Sequence, residues 1–177
     1  MARFSLIRRK QVWVPTLWGW IFLLSIAGTV GAFAVRNIHC FLALNEPAPG
    51  ARILVVEGWL SDSDLDQAVK CFRIGNYEKV ITTGGPIEKW PGFHSETNYA
   101  DLAANYLRSH GLADIEVIPV AAPASAQDRT FLSAVKVREW VAKEGMVLST
   151  FDIFSAGTHA RRSRMLYRMS FGPNVEV

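Results

Sequence analysis

His159 and Arg162 are three residues apart, so a helix starting near Thr158 would set both on one face. A guanidinium beside a helix N-terminus suits a phosphate or carboxylate, and a neutral imidazole there serves as base or hydrogen-bond partner. The bland alternative is a capping or packing histidine. Glu57 closes the apolar run Arg52–Glu57, and a carboxylate ending a buried run needs a partner or a solvated cleft. It can act as general base, hold a hydroxyl, or pair with Arg129 or Arg162. Gly84-Gly85 follows a second such run, where backbone amides can approach an anion or simply turn the chain. Glu96, Arg129 and Thr130 each stand at the start of an expected helix. Glu96 is favoured there by the helix dipole alone, and Thr130 has the chemistry of a cap, so each has a ligand reading and a structural one.

Other chemistries lack their residues. His39, His94, His110 and His159 show no paired ligand spacing, so no metal site is expected. Ser155-Ala-Gly-Thr-His159 is not the Gly-x-Ser-x-Gly elbow of hydrolases. Neither a Gly-x-Gly-x-x-Gly nor a Walker sequence occurs, and no cofactor is expected. Cys71 reads as a packing residue, and a bridge to Cys40 has no support in the spacing.

The elements that must carry these residues alternate. Strands are expected at 52–57, 79–83, 115–120 and 151–155, with 174–177 opening a fifth. Helices are expected between them. The first is capped by Ser61 or Asp62 with Leu65, Ala68, Val69 and Phe72 inward, and the second is capped by Ser95 with Tyr99, Leu102, Ala103, Tyr106 and Leu107 inward. The third runs from about Gln127 to Glu144, and the fourth from about Thr158 to Ser170. Such an order implies a Rossmann-like, three-layer α/β domain: a parallel sheet flanked by helices, with right-handed crossovers. Ligands of these sheets bind beyond the carboxyl ends of the strands. That rule alone selects Glu57–Trp59, Thr83–Gly85, the loop leading to Asp128–Thr130, and Gly157–His159.

The chain before this domain has a different composition. Of 19 Lys+Arg, four (Arg3, Arg8, Arg9, Lys10) precede residue 11, while none of the 16 Asp+Glu precedes Glu46. The formal charge of +3 therefore resides in a basic tip, 1–10, and the near-neutral remainder does not argue for nucleic acid. Residues 11–35 hold no charge and include Trp13, Trp18 and Trp20. As a helix they would span roughly 37 Å, enough for a hydrocarbon core of about 30 Å. They are expected to form one transmembrane helix, with 36–50 a linker containing Pro47-Ala48-Pro49-Gly50. The basic excess on the leading flank puts the N-terminus in the cytoplasm. The rival reading is a signal peptide cleaved after Ala34, although the apolar run exceeds the usual length of about 7–15 residues.

Taken together, the N-terminal anchor, Val55-Val56-Glu57-Gly58-Trp59, Thr82-Thr83-Gly84-Gly85, Arg129-Thr130 and Ser155-Ala-Gly-Thr-His159-Ala-Arg-Arg162 resemble the YdcF/SanA/ElyC envelope-protein family, the DUF218 domain. The resemblance covers 51–177, and its most specific part is His159-Ala160-Arg161-Arg162. Arg129-Thr130 stands where the family commonly has Asn-Thr. Family members usually continue further, so a truncated C-terminus is expected. The resemblance implies a Rossmann-like domain on the outer side of a bacterial inner membrane. It also implies a role in envelope and peptidoglycan biogenesis, with an anionic small-molecule or lipid-linked ligand. Glu57 and His159 would be the catalytic pair, and Gly84, Gly85, Glu96, Arg129, Thr130 and Arg162 the ligand-binding set. Two functions stay open: an enzyme or binder of a phosphorylated wall metabolite, and a non-catalytic regulator or scaffold of peptidoglycan synthesis.

Overall fold

Pro15 sets the start of the first element. The residue before a proline is steered away from helical angles, and residues 13–16 lie outside the helix α1, Leu17–Leu42. Thr16 Oγ1 accepts from the Gly19 amide at 3.2 Å and caps it. The structure, a computed structural model, describes residues 13–87 and 97–177. They fall into two compact units, one ending at Ile38 and the other running His39–Val177.

Within α1, Leu17–His39 is long and apolar enough to cross a membrane, and none of it is buried. Its 23 residues reach about 34 Å. Its polar side chains are satisfied inside the helix. Ser25 donates to the Ile21 carbonyl at 2.8 Å, Thr29 to Ser25 at 2.9 Å and Asn37 to Phe33 at 2.7 Å. That arrangement suits hydrocarbon, where no water would pair them. The expected span at 11–35 is displaced toward the C-terminus, and the helix takes in 36–42 of the expected linker. Arg36 does not end it, because a long basic side chain can carry its charge away from the axis.

The second unit is a four-stranded parallel sheet flanked by helices, a Rossmann-like α/β fold. The strands are β1 (Ile53–Glu57), β2 (Lys79–Gly84), β3 (Glu116–Ala121) and β4 (Asp152–Phe154). The helices are α2 (Asp62–Ile74), α3 (Tyr99–Ser109), α4 (Arg129–Lys143) and α5 (Ala160–Phe171). Successive residues of β1 point to opposite faces. Leu54 and Val56 join Val80, Leu65, Phe72, Ala103 and Leu107 on the α2–α3 side. Ile53 and Val55 join Ile81, Val137, Phe151 and Tyr167 on the α4–α5 side.

Two local expectations change. Helix α3 is capped by Asn98, whose Oδ1 accepts from the Asp101 amide at 2.9 Å, so Ser95 is not its cap; Ser95 lies outside the described residues. Residues 174–177, expected to open a fifth strand, make one isolated parallel bridge, Thr150 with Glu176.

Strand order is β3-β2-β1-β4. The chain proceeds outward from β1 through β2 to β3, then returns past β1 to lay down β4. The reversal lies between β1 and β4, the position at which sheets of this kind generally take a ligand beyond the carboxyl ends of their strands.

Candidate functional site

Glu57 ends β1 at that reversal, and its side chain turns to the α4–α5 side, as Val55 does. It is 2% exposed. Ser155, just past β4, donates to Oε2, and Ser163 on α5 donates to the same carboxylate at 3.0–3.1 Å. Burial pushes the carboxyl above its ordinary range, opposed by hydrogen bonds from Ser155, Ser163 and Trp59 and by the charge of His159. Beneath it lie the hydroxyls of Thr83 and Tyr167, both buried and neither closing a full hydrogen bond. Burial, and then the negative charge of Glu57, hold the Tyr167 hydroxyl well above its usual value, so it stays neutral. Glu57 thus sits in a polar pocket of neutral hydroxyls rather than in an ion pair with Arg129 or Arg162.

His159 closes a short 3-10 turn, Gly157–His159, that leads into α5. Its ring meets the Trp59 indole edge-on at 5.2 Å between centroids. Both rings are exposed, Trp59 at 42%. An acid held under cover, with an accessible imidazole and an indole above it, can move a proton at a bound group. Arg162 lies in the first turn of α5, exposed and with no hydrogen bond or ion pair among the described residues. Two neighbouring arginines differ. Arg161 donates to the Phe41 carbonyl at 2.6 Å, and Arg164 binds Glu46 at 2.9 Å.

The glycines work through packing. A Cβ on Gly58 would stand 2.3 Å from the Tyr99 carbonyl oxygen, and one on Gly84 would stand 2.6 Å from Tyr99 Cβ. Both positions let α3 start close over the sheet. Among the described residues, a Cβ on Gly85 would come nearest to the Pro123 oxygen, at an ordinary 3.5 Å. Among the described residues, Gly85 is therefore the member of the pair with room for a side chain.

Arg129 and Thr130 open α4, which follows β3 at the far side of the sheet. Arg129 Nε donates to the Ser125 carbonyl at 3.0 Å. Thr130 is not the cap. Asp128 is, at φ 55°, a left-handed angle that aspartate tolerates. Two strands, β2 and β1, separate this end of the sheet from β4, so the expected residues form two groups rather than one. Glu96 lies outside the described residues. A separate cavity of about 670 Å³ lies along β4 and includes Lys70, Cys71, Tyr77, Asp152 and Ser155 in its lining, but not Glu57, His159 or Arg162. Among the described residues no group of His, Cys, Asp and Glu is placed to hold a metal.

Ser163 and Tyr167 were not singled out by sequence reasoning, and Ser155 was weighed there only as a nucleophile elbow. A signal existed: Ser163, Tyr167 and Ser170 recur at helical spacing on the inward stripe of α5 and are buried polar groups there. No protein-family model, curated protein or solved structure matches this chain.

Proposed function

We propose that this chain is a membrane-anchored envelope-biogenesis protein of the YdcF/SanA/ElyC type (DUF218). Its α/β domain would bind or act on a phosphorylated cell-wall or lipid-carrier metabolite at the β1–β4 crevice. In this reading α1 crosses a bacterial inner membrane once, with the N-terminus cytoplasmic and the domain outside. The observation that carries it is the covered carboxyl of Glu57 beside the accessible pair His159 and Trp59, at the sheet's topological reversal. A carboxyl inclined to keep its proton is a general acid, His159 is its complement as base, and Arg162 one turn on supplies charge for a phosphate. Support also comes from the sequence likeness at His159-Ala160-Arg161-Arg162.

A second reading has its own observation. Both Glu57 oxygens are engaged by serine hydroxyls, so the carboxyl can serve purely to join β1, β4 and α5. The protein would then be a regulator or scaffold that senses a ligand without converting it. Incubating the purified full chain with lipid-linked wall precursors separates the two. Product that disappears in His159→Ala and Glu57→Gln supports catalysis. Binding without product supports the regulator, and neither binding nor product sinks the site.

A further inference from the structure

We propose that the outward side of α5 docks on an anionic lipid surface. The inference rests on α1 crossing a membrane and is independent of the chemistry at Glu57. Helix α5 carries Arg161, Arg162, Arg164 and Arg168 and no acidic residue. At about 100° per residue, Met165 and Met169 fall at the middle of its outward arc, with Arg161 and Arg168 to one side and Arg162 to the other. Burial agrees with this geometry: Ser163, Tyr167 and Ser170 are buried, while Met165 is 55% and Met169 64% exposed. Flexible apolar side chains flanked by guanidinium groups form the pattern of a helix lying at a headgroup boundary. The thioethers enter the acyl edge and the arginines meet phosphates.

The place of α5 along the chain supports the same occupant. The Arg161 guanidinium lies 3.9 Å over the Phe41 ring and its Nε bonds the Phe41 carbonyl at 2.6 Å. Phe41 belongs to the same compact unit as α5 and comes two residues after the membrane-compatible stretch Leu17–His39. A helix tied by its first turn to that residue is tied to a point only two residues past the end of that stretch. Arg162 and Arg168 have no partner among the described residues, so neither must break a contact to reach a phosphate. Arg164 is committed to Glu46 and to the Val177 carbonyl, and does not contribute.

The test is methionine footprinting of the full chain in lipid nanodiscs. Mild peroxide is applied in discs of pure phosphatidylcholine and in discs containing phosphatidylglycerol, and sulfoxides are counted by mass spectrometry. Sulfoxide formation at Met165 and Met169 should be slower in the anionic discs by about fivefold or more, the factor one arginine near such a surface supplies. Met146, packed against the core of the α/β unit, should react equally in both. The protection should fade at roughly 0.5 M salt and be largely lost in Arg168→Glu. Arg162 is left unaltered because the proposed site also uses it. Equal rates at Met165 and Met169 in the two discs overturn the docking alone. Protection in neutral discs by inorganic phosphate would assign the face to a soluble anion and also overturn it. Failure of the chain to enter either disc removes the anchor, and the docking with it.

Discussion

Ser163, in the first turn of α5, shares its hydroxyl hydrogen between the two carboxylate oxygens of Glu57, at 3.1 Å from Oε1 and 3.0 Å from Oε2. With Ser155 on the same carboxyl, one buried side chain joins the ends of β1 and β4 to α5. Removing it strands two serine hydroxyls and leaves a void. Leaving a buried polar group unpaired costs about 1–3 kcal/mol. Glu57→Ala should therefore lower unfolding stability by at least that amount, measured by urea titration of the α/β fluorescence in detergent. Ser163→Ala, which leaves Ser155 in place, should cost about 1 kcal/mol. A neutral Glu57→Ala would mean that the carboxyl is not part of a packed network.

The same carboxyl makes stability depend on pH. Burial raises its pKa above the reference 4.5 despite the opposing hydrogen bonds, so the folded state keeps the proton to higher pH than the unfolded state does. The folded chain then binds more protons in that window, and stability falls as pH rises. The contribution is whole below about pH 4.5, the unfolded value, and is lost as pH climbs through the raised folded value. Subtracting the profile of Glu57→Gln from that of the wild type should expose this downward slope. Ser155→Ala and Ser163→Ala remove donors that favour the carboxylate, and should carry the loss to higher pH. An upward slope would show a carboxylate stabilised in the fold and would remove Glu57 as a proton donor.

The elements bearing the site were legible because each had a local cause. Ile53-Leu54-Val55-Val56 is a β-branched run that both faces of a sheet bury, and Leu65, Ala68 and Phe72 keep helical spacing. The strand-end rule therefore reached Glu57, Trp59 and His159 without any motif. The grip on Glu57 was not legible. Ser163 reaches it only because α5 packs on the Val55 side at one particular rotation, which is set by tertiary contact. The separation of Arg129 from His159 was hidden for a related reason. Equivalent strand ends look alike in sequence, and only the order β3-β2-β1-β4 puts one pair at the reversal and the other at the rim. The displaced end of α1 shows the same limit: Arg36 marks a charge boundary, whereas the helix continues to Leu42.

Substitution of the glycines should separate packing from ligand approach. Gly58→Ala and Gly84→Ala force contacts at 2.3 and 2.6 Å with the start of α3, and should each cost about 1–3 kcal/mol. Gly85→Ala meets nothing closer than 3.5 Å among the described residues and should leave the unfolding midpoint nearly unchanged. If Gly85→Ala nonetheless impairs complementation of an envelope defect, its backbone approaches a ligand. Equal destabilisation at Gly84 and Gly85 would contradict the close approach of Tyr99.

Arg162 and Arg168 are both exposed and unpartnered among the described residues, but only Arg162 lies in the turn next to His159. If the crevice takes a phosphate, Arg162→Ala should weaken binding of a lipid-linked precursor by roughly 10- to 150-fold, the worth of a charge-assisted hydrogen bond. Arg168→Ala should change it by less than about twofold. Calorimetry in detergent, where no bilayer competes for the arginines, reads the difference directly. Equal losses would indicate a diffuse basic patch, and no loss from Arg162→Ala would confine the site to Glu57, Trp59 and His159.

The proposed orientation rests on charge. Arg3, Arg8, Arg9 and Lys10 precede the apolar stretch, against Arg36 near its end, and basic flanks are retained on the cytoplasmic side. A fluorescent protein that matures only in the cytoplasm, fused after Val177, should stay dark, while an alkaline phosphatase fusion at the same point should be active. Replacing the four leading basic residues with glutamine should weaken that bias, because Arg36 is then the nearest basic residue to the stretch. A bright fusion in the unaltered chain would place the α/β domain in the cytoplasm. The ligand sought at Glu57 and His159 would then be a cytoplasmic phosphorylated metabolite rather than one outside the membrane.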